Sequence, residues 1–235
     1  MCRCRRSRRR FTRPVSTTWR AVTCVENHDL VLAGRDPRLP VLADPSNHRS
    51  WYARSRSRVA SAILLTAPGI PQLFMGQEFL EDRPWDVLPN GPNLLSWHGL
   101  ESPTDSSMRD HLQFTKDLIR LRRELPALRG DNVRALFCSD RDRVIAYHRW
   151  REGSGDDVIV VASFAETTWN GYEIGFPSAG LWQERFNSDA YDHFPNPQVA
   201  GNGGRVMAQG NGLHGFAASA AIVIPANGVV VFARG

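Results

Sequence analysis

The chain has 235 residues, of which 42% are hydrophobic and 23% are charged, and its formal net charge is +5. This length and composition exclude a collagen, a coiled-coil rod and a wholly disordered chain, and they allow one large or two small globular domains. No run of about 18 apolar residues occurs, so no membrane-spanning helix is expected and a membrane is not a predicted partner.

The positive charge comes from residues 1–20, which contain eight arginines and no acidic residue. The remainder has 21 basic and 24 acidic residues, a balance of −3, so nucleic acid is not a predicted partner. We interpret residues 1–18 as an arginine-rich disordered leader, with a basic arm or localisation patch as the alternative. It has no apolar segment, so it is not a secretory signal. The four cysteines are too scattered for a disulfide framework and fit a cytoplasmic location.

Residues 19–125 alternate strand-like and helix-like segments. The apolar run 21–25 predicts a strand buried on both faces, and residues 70–75 predict a second short strand. Both runs end in polar residues. Between them, the prolines from Pro37 to Pro45 predict a loop.

Two helices are predicted in the same part of the chain. Residues 51–66 form the first, which Pro68 and Gly69 end, and residues 107–124 form the second, which Pro126 ends. The apolar faces are expected to contain Val59, Ile63 and Thr66 in the first helix, and Leu112, Phe114, Leu118, Ile119 and Leu121 in the second. The first helix also carries three arginines that are expected mostly off its apolar face: Arg54, Arg56 and Arg58. The order strand, helix, strand, helix is typical of a parallel sheet built from βα units.

Residues 126–235 contain short apolar segments separated by turn residues, a pattern typical of an antiparallel sheet. Strands are predicted at residues 144–150, 158–164, 181–186, 220–224 and 229–234. Residues 152–157 are rich in Gly and Asp and predict a hairpin turn. The glycine-rich stretch 201–215 lacks the Lys-Ser/Thr ending of a phosphate loop, so a flexible loop is expected there. These features favour an antiparallel β-sandwich.

A polar cluster, Glu26-Asn27-His28-Asp29, follows the first predicted strand directly. In parallel βα folds, ligand-binding and catalytic groups lie just beyond the carboxyl ends of the strands. A carboxylate beside an imidazole there could bind hydroxyl groups, stabilise a cation or assist proton transfer. A structural His–Asp hydrogen bond would explain the same residues, so spacing alone leaves both interpretations open.

Three motifs in order resemble the α-amylase superfamily, glycoside hydrolase family 13. Residues 25–31, Val-Glu-Asn-His-Asp-Leu-Val, resemble the motif after the seventh barrel strand of that superfamily. Residues 67–79 are similar to its eighth strand, with the pattern Gly-x-Pro…Gly-x-Glu. Residues 187–189 and 224–232 resemble the C-terminal β-domain of 1,4-α-glucan branching enzymes. The resemblance covers roughly residues 20–235.

The resemblance implies the last two βα units of a (β/α)8 TIM barrel, in residues 19–125, followed by an antiparallel β-sandwich C-terminal domain, in residues 126–235. It also implies action on α-1,4-glucans such as glycogen or amylose, by double displacement with retention, and without a metal or other cofactor. Retention requires two carboxyl groups about 5–5.5 Å apart, one as nucleophile and one as acid/base.

The resemblance assigns individual roles at the strand ends. Asp29 matches the aspartate that stabilises the transition state, and His28 matches a histidine that donates to a sugar hydroxyl. Arg35 is a candidate for the substrate cleft. Glu78 is expected to be a structural carboxylate, whereas Trp85 and Trp97 could stack on sugars or close the barrel top. The other histidines lack metal-ligand spacing.

The sequence departs from the superfamily in one large respect. A full barrel takes about 250 residues, and residues 19–125 provide two of its eight units. The fourth and fifth strands, which carry the nucleophile and the acid/base, have no counterpart here. The chain is therefore interpreted as a C-terminal fragment of a branching enzyme that is inactive alone. The alternatives are a fragment of an α-amylase-type or debranching hydrolase, and a non-catalytic glucan-binding module.

Overall fold

The computed structural model describes residues 21–88 and 94–234. The predicted leader therefore lies outside the described residues. In the first half of the described chain, up to residue 131, strand β1 (Val22–Thr23) pairs in parallel with strand β2 (Ile70–Pro71). The helices of this half are α1 (Leu39–Ala43), α2 (Trp51–Thr66), α3 (Ser107–Glu124) and α4 (Pro126–Arg129). Short 3-10 turns occupy Gln77–Phe79 and Trp97–Glu101.

The parallel pairing confirms the predicted strand order, but both strands are shorter than predicted. The expectation that β1 is buried on both faces was wrong: Val22 is 58% exposed, and Ile70 beside it is 52% exposed. Among the described residues, β1 and β2 pair only with each other. The predicted proline-rich loop contains α1, because Pro40 occupies a first-turn position where its missing N–H is tolerated.

Helix α2 has the predicted bounds. The Ser50 hydroxyl accepts the Ala53 N–H at 3.1 Å and caps the first turn, and Pro68 favours extended backbone just after the helix. Val59 and Thr66 are buried as predicted. Arg58 was expected off the buried face, but it is buried because Asp192 and the Tyr191 carbonyl receive its guanidinium.

Helix α3 also has the predicted bounds, and Pro126 begins α4 directly after it. Phe114, Leu118 and Leu121 are buried. Ile119 was expected on the same face, but it is exposed because the turn of the helix places it on the outer side.

The second half is antiparallel, as predicted. Its strands are β3 (Asn132–Ser139), β4 (Val144–Trp150), β5 (Asp157–Ser163), β6 (Trp169–Phe176), β7 (Gly180–Asn187), β8 (Arg205–Ala208), β9 (Ala218–Ile224) and β10 (Val229–Arg234). Six of them form one sheet in the order β3-β4-β5-β10-β7-β8, and β6 pairs with β9 in a second sheet. Strands β3, β6 and β8 were not predicted, and β8 lies within the glycine-rich stretch that was expected to be a loop.

The larger sheet is covered on both faces. Val158, Val160 and Ala162 of β5 pack against the helices, whereas Ile159 and Val161 pack towards the β6–β9 sheet. Strand β10 alternates in the same way. This two-sided burial explains why both strands are uninterrupted apolar runs in an antiparallel sheet.

The helices and the larger sheet share one hydrophobic core, which contains Phe114 and Leu118 of α3 together with Val160 of β5. Polar contacts reinforce this junction: the Tyr147 hydroxyl lies 2.5 Å from the hydroxyl of Thr66, the last residue of α2. The two halves are therefore packed together across the predicted boundary at residue 126. No helix of the described residues has both the length and the apolar character needed to cross a membrane.

Candidate functional site

The polar cluster after β1 forms a tight turn that projects two side chains into solvent. The Asn27 side-chain oxygen accepts the backbone N–H groups of Asp29 at 2.9 Å and Leu30 at 3.0 Å. This Asx turn replaces extended backbone and ends the strand. The side chains of His28 and Asp29 are 62% and 74% exposed.

His28 and Asp29 are consecutive residues, and their side chains lie side by side at the turn. The distance from His28 Nε2 to Asp29 Oδ2 is 3.6 Å, which permits an ion pair when the imidazole is protonated but is too long for a good hydrogen bond. Both polar groups are therefore available to a ligand. Asp29 is exposed enough to accept hydrogen bonds from hydroxyl groups.

Arg35 also lies at this turn, but it contacts backbone. Its Nη1 donates to the Asp29 carbonyl at 3.2 Å, so the guanidinium holds the turn and leaves the Asp29 carboxylate free of that contact. Its side chain is exposed, and its role in a substrate cleft stays a prediction.

Trp85 packs beside the turn. Its backbone N–H donates to the Val31 carbonyl at 2.8 Å, and its carbonyl accepts the Ala33 N–H at 2.8 Å. These bonds place the indole edge-on to His28, with 6.1 Å between ring centroids. The half-buried indole therefore lies beside the exposed polar groups of His28 and Asp29.

A buried ion pair between Glu26 and Arg38 stabilises the turn. The Arg38 Nη1 lies 2.8 Å from Glu26 Oε2, and the other Glu26 oxygen accepts the Leu39 N–H at 2.7 Å. Burial raises the pKa of Glu26, although the neighbouring guanidinium of Arg38 opposes that shift.

Arg38 also ties the end of β1 to the segment after β2. It donates to the Met75 carbonyl at 2.7 Å and to the Arg83 carbonyl at 3.1 Å. One buried side chain therefore connects the three segments that carry the Asp29 turn, the β2 end and the Trp85 loop.

Glu81 is a second buried carboxylate beside the segments that Arg38 connects. It accepts backbone N–H groups of Asp82 and Arg83, both at 3.1 Å, and of Ser96 at 2.5 Å. Gly76 is required beside it: its φ is +89°, and an added Cβ would lie 2.6 Å from the Glu81 Cβ.

The sequence did not identify Arg38 or Glu81. Neither lies in a motif after a strand, and their partners are mostly carbonyl and amide groups of other segments, which no residue pattern reveals. Gly76, directly after the second predicted strand, was the available signal for close packing there.

The remaining predicted residues lie around this turn in different settings. Glu78 is half-buried in the turn Gln77–Phe79. Trp97 is exposed and lies 5.1 Å from Phe79, measured between ring centroids. Their predicted roles, structural for Glu78 and stacking or closure for Trp97, stay predictions.

The histidines show no metal site within residues 21–88 and 94–234, where no three His, Cys, Asp or Glu side chains group as ligands. His111 is instead a core residue: burial, with the positive charges of Arg58 and Arg49, lowers its pKa to about 3. His48 lies 3.1 Å from Asp82 at its ring Nδ1.

The arrangement after β1 presents the exposed carboxylate of Asp29 beside the imidazole of His28. Double displacement requires two carboxyl groups, one as nucleophile and one as acid. The neighbouring carboxylates Glu26 and Glu81 are buried and occupied by structural partners.

Comparison with known proteins gives a consistent result. Residues 137–235 match the family described as alpha amylase, C-terminal all-beta domain. A 1,4-α-glucan branching enzyme of Xanthomonas campestris is 31% identical over 213 residues, which cover 88% of this chain and 28% of that enzyme. A branching enzyme of Burkholderia thailandensis is 32% identical over 190 residues, 78% of this chain and 22% of its own length. The chain thus spans about a quarter of these relatives.

Solved structures share the fold at lower identity. An Anoxybacillus α-amylase superposes with a TM-score of 0.62 at 18% identity, over 90% of this chain and 37% of its own. A Geobacillus thermoleovorans α-amylase complexed with acarbose superposes with a TM-score of 0.59 at 20% identity, over 91% of this chain and 39% of its own. The γ-CGTase of Bacillus clarkii superposes with a TM-score of 0.56 at 19% identity, over 92% of this chain and 26% of its own.

Proposed function

The chain belongs to the α-amylase superfamily and resembles the C-terminal part of 1,4-α-glucan branching enzymes, and from this premise we propose that its ligand is an α-1,4-glucan such as glycogen or amylose. The observation that supports this most strongly is the 31% identity to a branching enzyme over 88% of the chain. The exposed His28–Asp29 turn beside Trp85 supplies a surface of suitable chemistry.

We place residues 19–125 as the last two βα units of a (β/α)8 barrel and residues 126–235 as its all-β companion domain. The parallel β1–β2 pair with intervening helices supports the first placement. The family match over residues 137–235 supports the second.

In the proposed reaction, a complete enzyme cuts an α-1,4 bond and transfers the chain to a 6-hydroxyl. Asp29 accepts hydrogen bonds from sugar hydroxyls that strengthen as the ring flattens towards the oxocarbenium-like transition state. His28 donates to a hydroxyl, and Trp85 packs on the sugar. Arg35 keeps the turn in position through the Asp29 carbonyl.

The 235-residue chain alone is proposed to be inactive, because Asp29 has no carboxylate partner for double displacement. Incubation with amylose should give neither new α-1,6 branches nor reducing ends above a blank. Turnover that Asp29→Asn abolishes would contradict this assignment. New branches would identify an active branching enzyme, and reducing ends would favour the hydrolase alternative.

The role of Asp29 can be tested in a hybrid enzyme, in which residues 21–234 replace the matching segment of the Xanthomonas campestris enzyme. Asp29→Asn should reduce turnover by several orders of magnitude with the melting temperature nearly unchanged, because the lost bonds act mainly in the transition state. His28→Ala should cost less, about 1–3 kcal/mol for one lost hydroxyl donor. Near-normal turnover of Asp29→Asn would refute the role.

A further inference from the structure

A small cavity lies between helices α1, α2 and α3, next to the polar cluster that follows β1. Its volume is about 10 Å³, a space that accepts a single water molecule. Most of its lining residues are polar, and all of the polar ones are buried: Glu26, Ser57, Ser61, Gln77, Glu81 and His111. The cavity therefore combines the size of one solvent molecule with polar walls.

Two polar atoms in these walls have no hydrogen-bond partner among residues 21–88 and 94–234: the hydroxyl oxygen of Ser57 and Nδ1 of His111. Ser57 is 1% exposed and His111 is 2% exposed, so bulk solvent does not hydrate either group. A buried polar group without a hydrogen bond is costly and is rare in folded proteins. Because both side chains line the same cavity, one bridging molecule can satisfy both atoms.

The other polar walls are already engaged. The Gln77 side-chain nitrogen lies 3.5 Å from the Ser61 hydroxyl, and the carboxylates of Glu26 and Glu81 accept backbone N–H groups. A carboxylate offers about four acceptor sites, so each of these two can still accept one further hydrogen bond. A molecule in the cavity can therefore donate to a carboxylate as well as bridge Ser57 and His111.

Charge and size select the occupant. The guanidinium groups of Arg58 and Arg49 add to burial in lowering the pKa of His111 to about 3, so a cation beside this ring is disfavoured. The carboxylates of Glu26 and Glu81 disfavour an anion. A neutral molecule with a single heavy atom fits, and it must donate as well as accept, because the carboxylates only accept and a hydroxyl can donate. Water has these properties.

We propose that this cavity is a binding site for one water molecule, which bridges Ser57 of α2 and His111 of α3. The water accepts the Ser57 O–H, donates one hydrogen to His111 Nδ1 and donates the other to the Glu26 carboxylate. This arrangement fixes His111 as the tautomer with its hydrogen on Nε2. It also connects both helices to a residue three positions before Asp29.

The first test is a high-resolution crystal structure of the full 235-residue chain, with nitrogen-15 NMR of its histidine rings. The proposal predicts one water at about 2.7–3.2 Å from both Ser57 Oγ and His111 Nδ1. It also predicts a neutral His111 ring with its hydrogen on Nε2. An empty cavity, a direct Ser57–His111 hydrogen bond, a bound ion, or a His111 ring with its hydrogen on Nδ1 would overturn the proposal.

The second test counts long-lived waters in solution by oxygen-17 magnetic relaxation dispersion. The double variant Ser57→Ala/His111→Leu removes both unpartnered groups and should hold one long-lived water fewer than the unaltered chain. An unchanged count in this variant would overturn the proposal.

The matched control is Ser55→Ala/Thr115→Val, which alters two buried polar residues of the same two helices that do not line the cavity. It should leave the count unchanged, and an equal loss in the control would also overturn the proposal. If the double variant does not fold, the crystal structure of the unaltered chain decides by itself. No glucan is present in either test, so both outcomes are independent of glucan binding at Asp29.

Discussion

Arg149 connects the helices to the larger sheet from inside the core, and Arg149→Met should destabilise the whole chain. Its side chain is fully buried on β4. It donates to the carbonyls of Asn132 at 2.9 Å, Leu128 at 3.3 Å and Gly130 at 2.5 Å, and to that of Thr66 at the end of α2. Burial lowers its pKa to about 10, so the guanidinium remains charged at neutral pH.

The expected loss follows from these four bonds. A hydrogen bond from a charged donor contributes about 1.5–3 kcal/mol, which gives a gross loss of roughly 6–12 kcal/mol. Removing the buried charge returns several kcal/mol of desolvation cost. The net loss for Arg149→Met should therefore be about 3–5 kcal/mol, a large part of a typical domain stability of roughly 5–15 kcal/mol.

The assay is urea unfolding followed by tryptophan fluorescence and far-UV circular dichroism. The control is Arg151→Met, an exposed arginine two residues on, which should change the free energy of unfolding by less than about 0.5 kcal/mol. Loss of the helical signal before the sheet signal in Arg149→Met would support its connecting role. An Arg149→Met protein as stable as the control would refute the reasoning.

Three further predictions concern the buried parts of the first half. His111 has a pKa of about 3 in the folded chain, so between that pH and about 6.5 it binds a proton only in the unfolded chain. Its contribution to the stability of the fold is therefore present above pH 6.5 and is lost as the pH falls. His111→Gln should flatten the acid unfolding curve in this pH window. Gly76→Ala should cost about 2 kcal/mol or more by thermal unfolding because the new Cβ meets Glu81, whereas Gly34→Ala, with φ +85° and open space, should cost about 1 kcal/mol. Leu118→Ala should cost about 2–5 kcal/mol in urea, and Ile119→Ala at the exposed neighbour should cost less than 1 kcal/mol. Equal effects within a pair, or a pH profile unchanged by His111→Gln, would contradict these assignments.

The sequence predicted the elements whose ends are clearly marked. Helices α2 and α3 have clear caps or breakers, strand β10 is an apolar run after a turn, and strand β4 lies between turns. All four have the predicted bounds. Strand β8 was missed because its four residues lie among glycines, and only its partner β7 shows that they form a strand.

The candidate site was predicted in its exposed part only. The turn with His28 and Asp29 follows a strand and has a recognisable motif, so its position could be predicted. The ion pair of Glu26 with Arg38 could not, because Arg38 is held by carbonyls that come together only in the folded chain. The exposure of Val22 was also unpredictable, since it depends on which segments lie beside β1.

Glucan binding at the Asp29 turn is the most direct test of the account. Affinity for maltoheptaose should be measured by calorimetry on the 235-residue chain, on Asp29→Ala and on Asp36→Ala, which alters an exposed acid seven residues further on. The account predicts binding by the unaltered chain, a loss of at least tenfold in Asp29→Ala, and an affinity within twofold of the unaltered chain in Asp36→Ala. No binding by the unaltered chain, or equal losses in both variants, would contradict the assignment of this turn to an α-glucan.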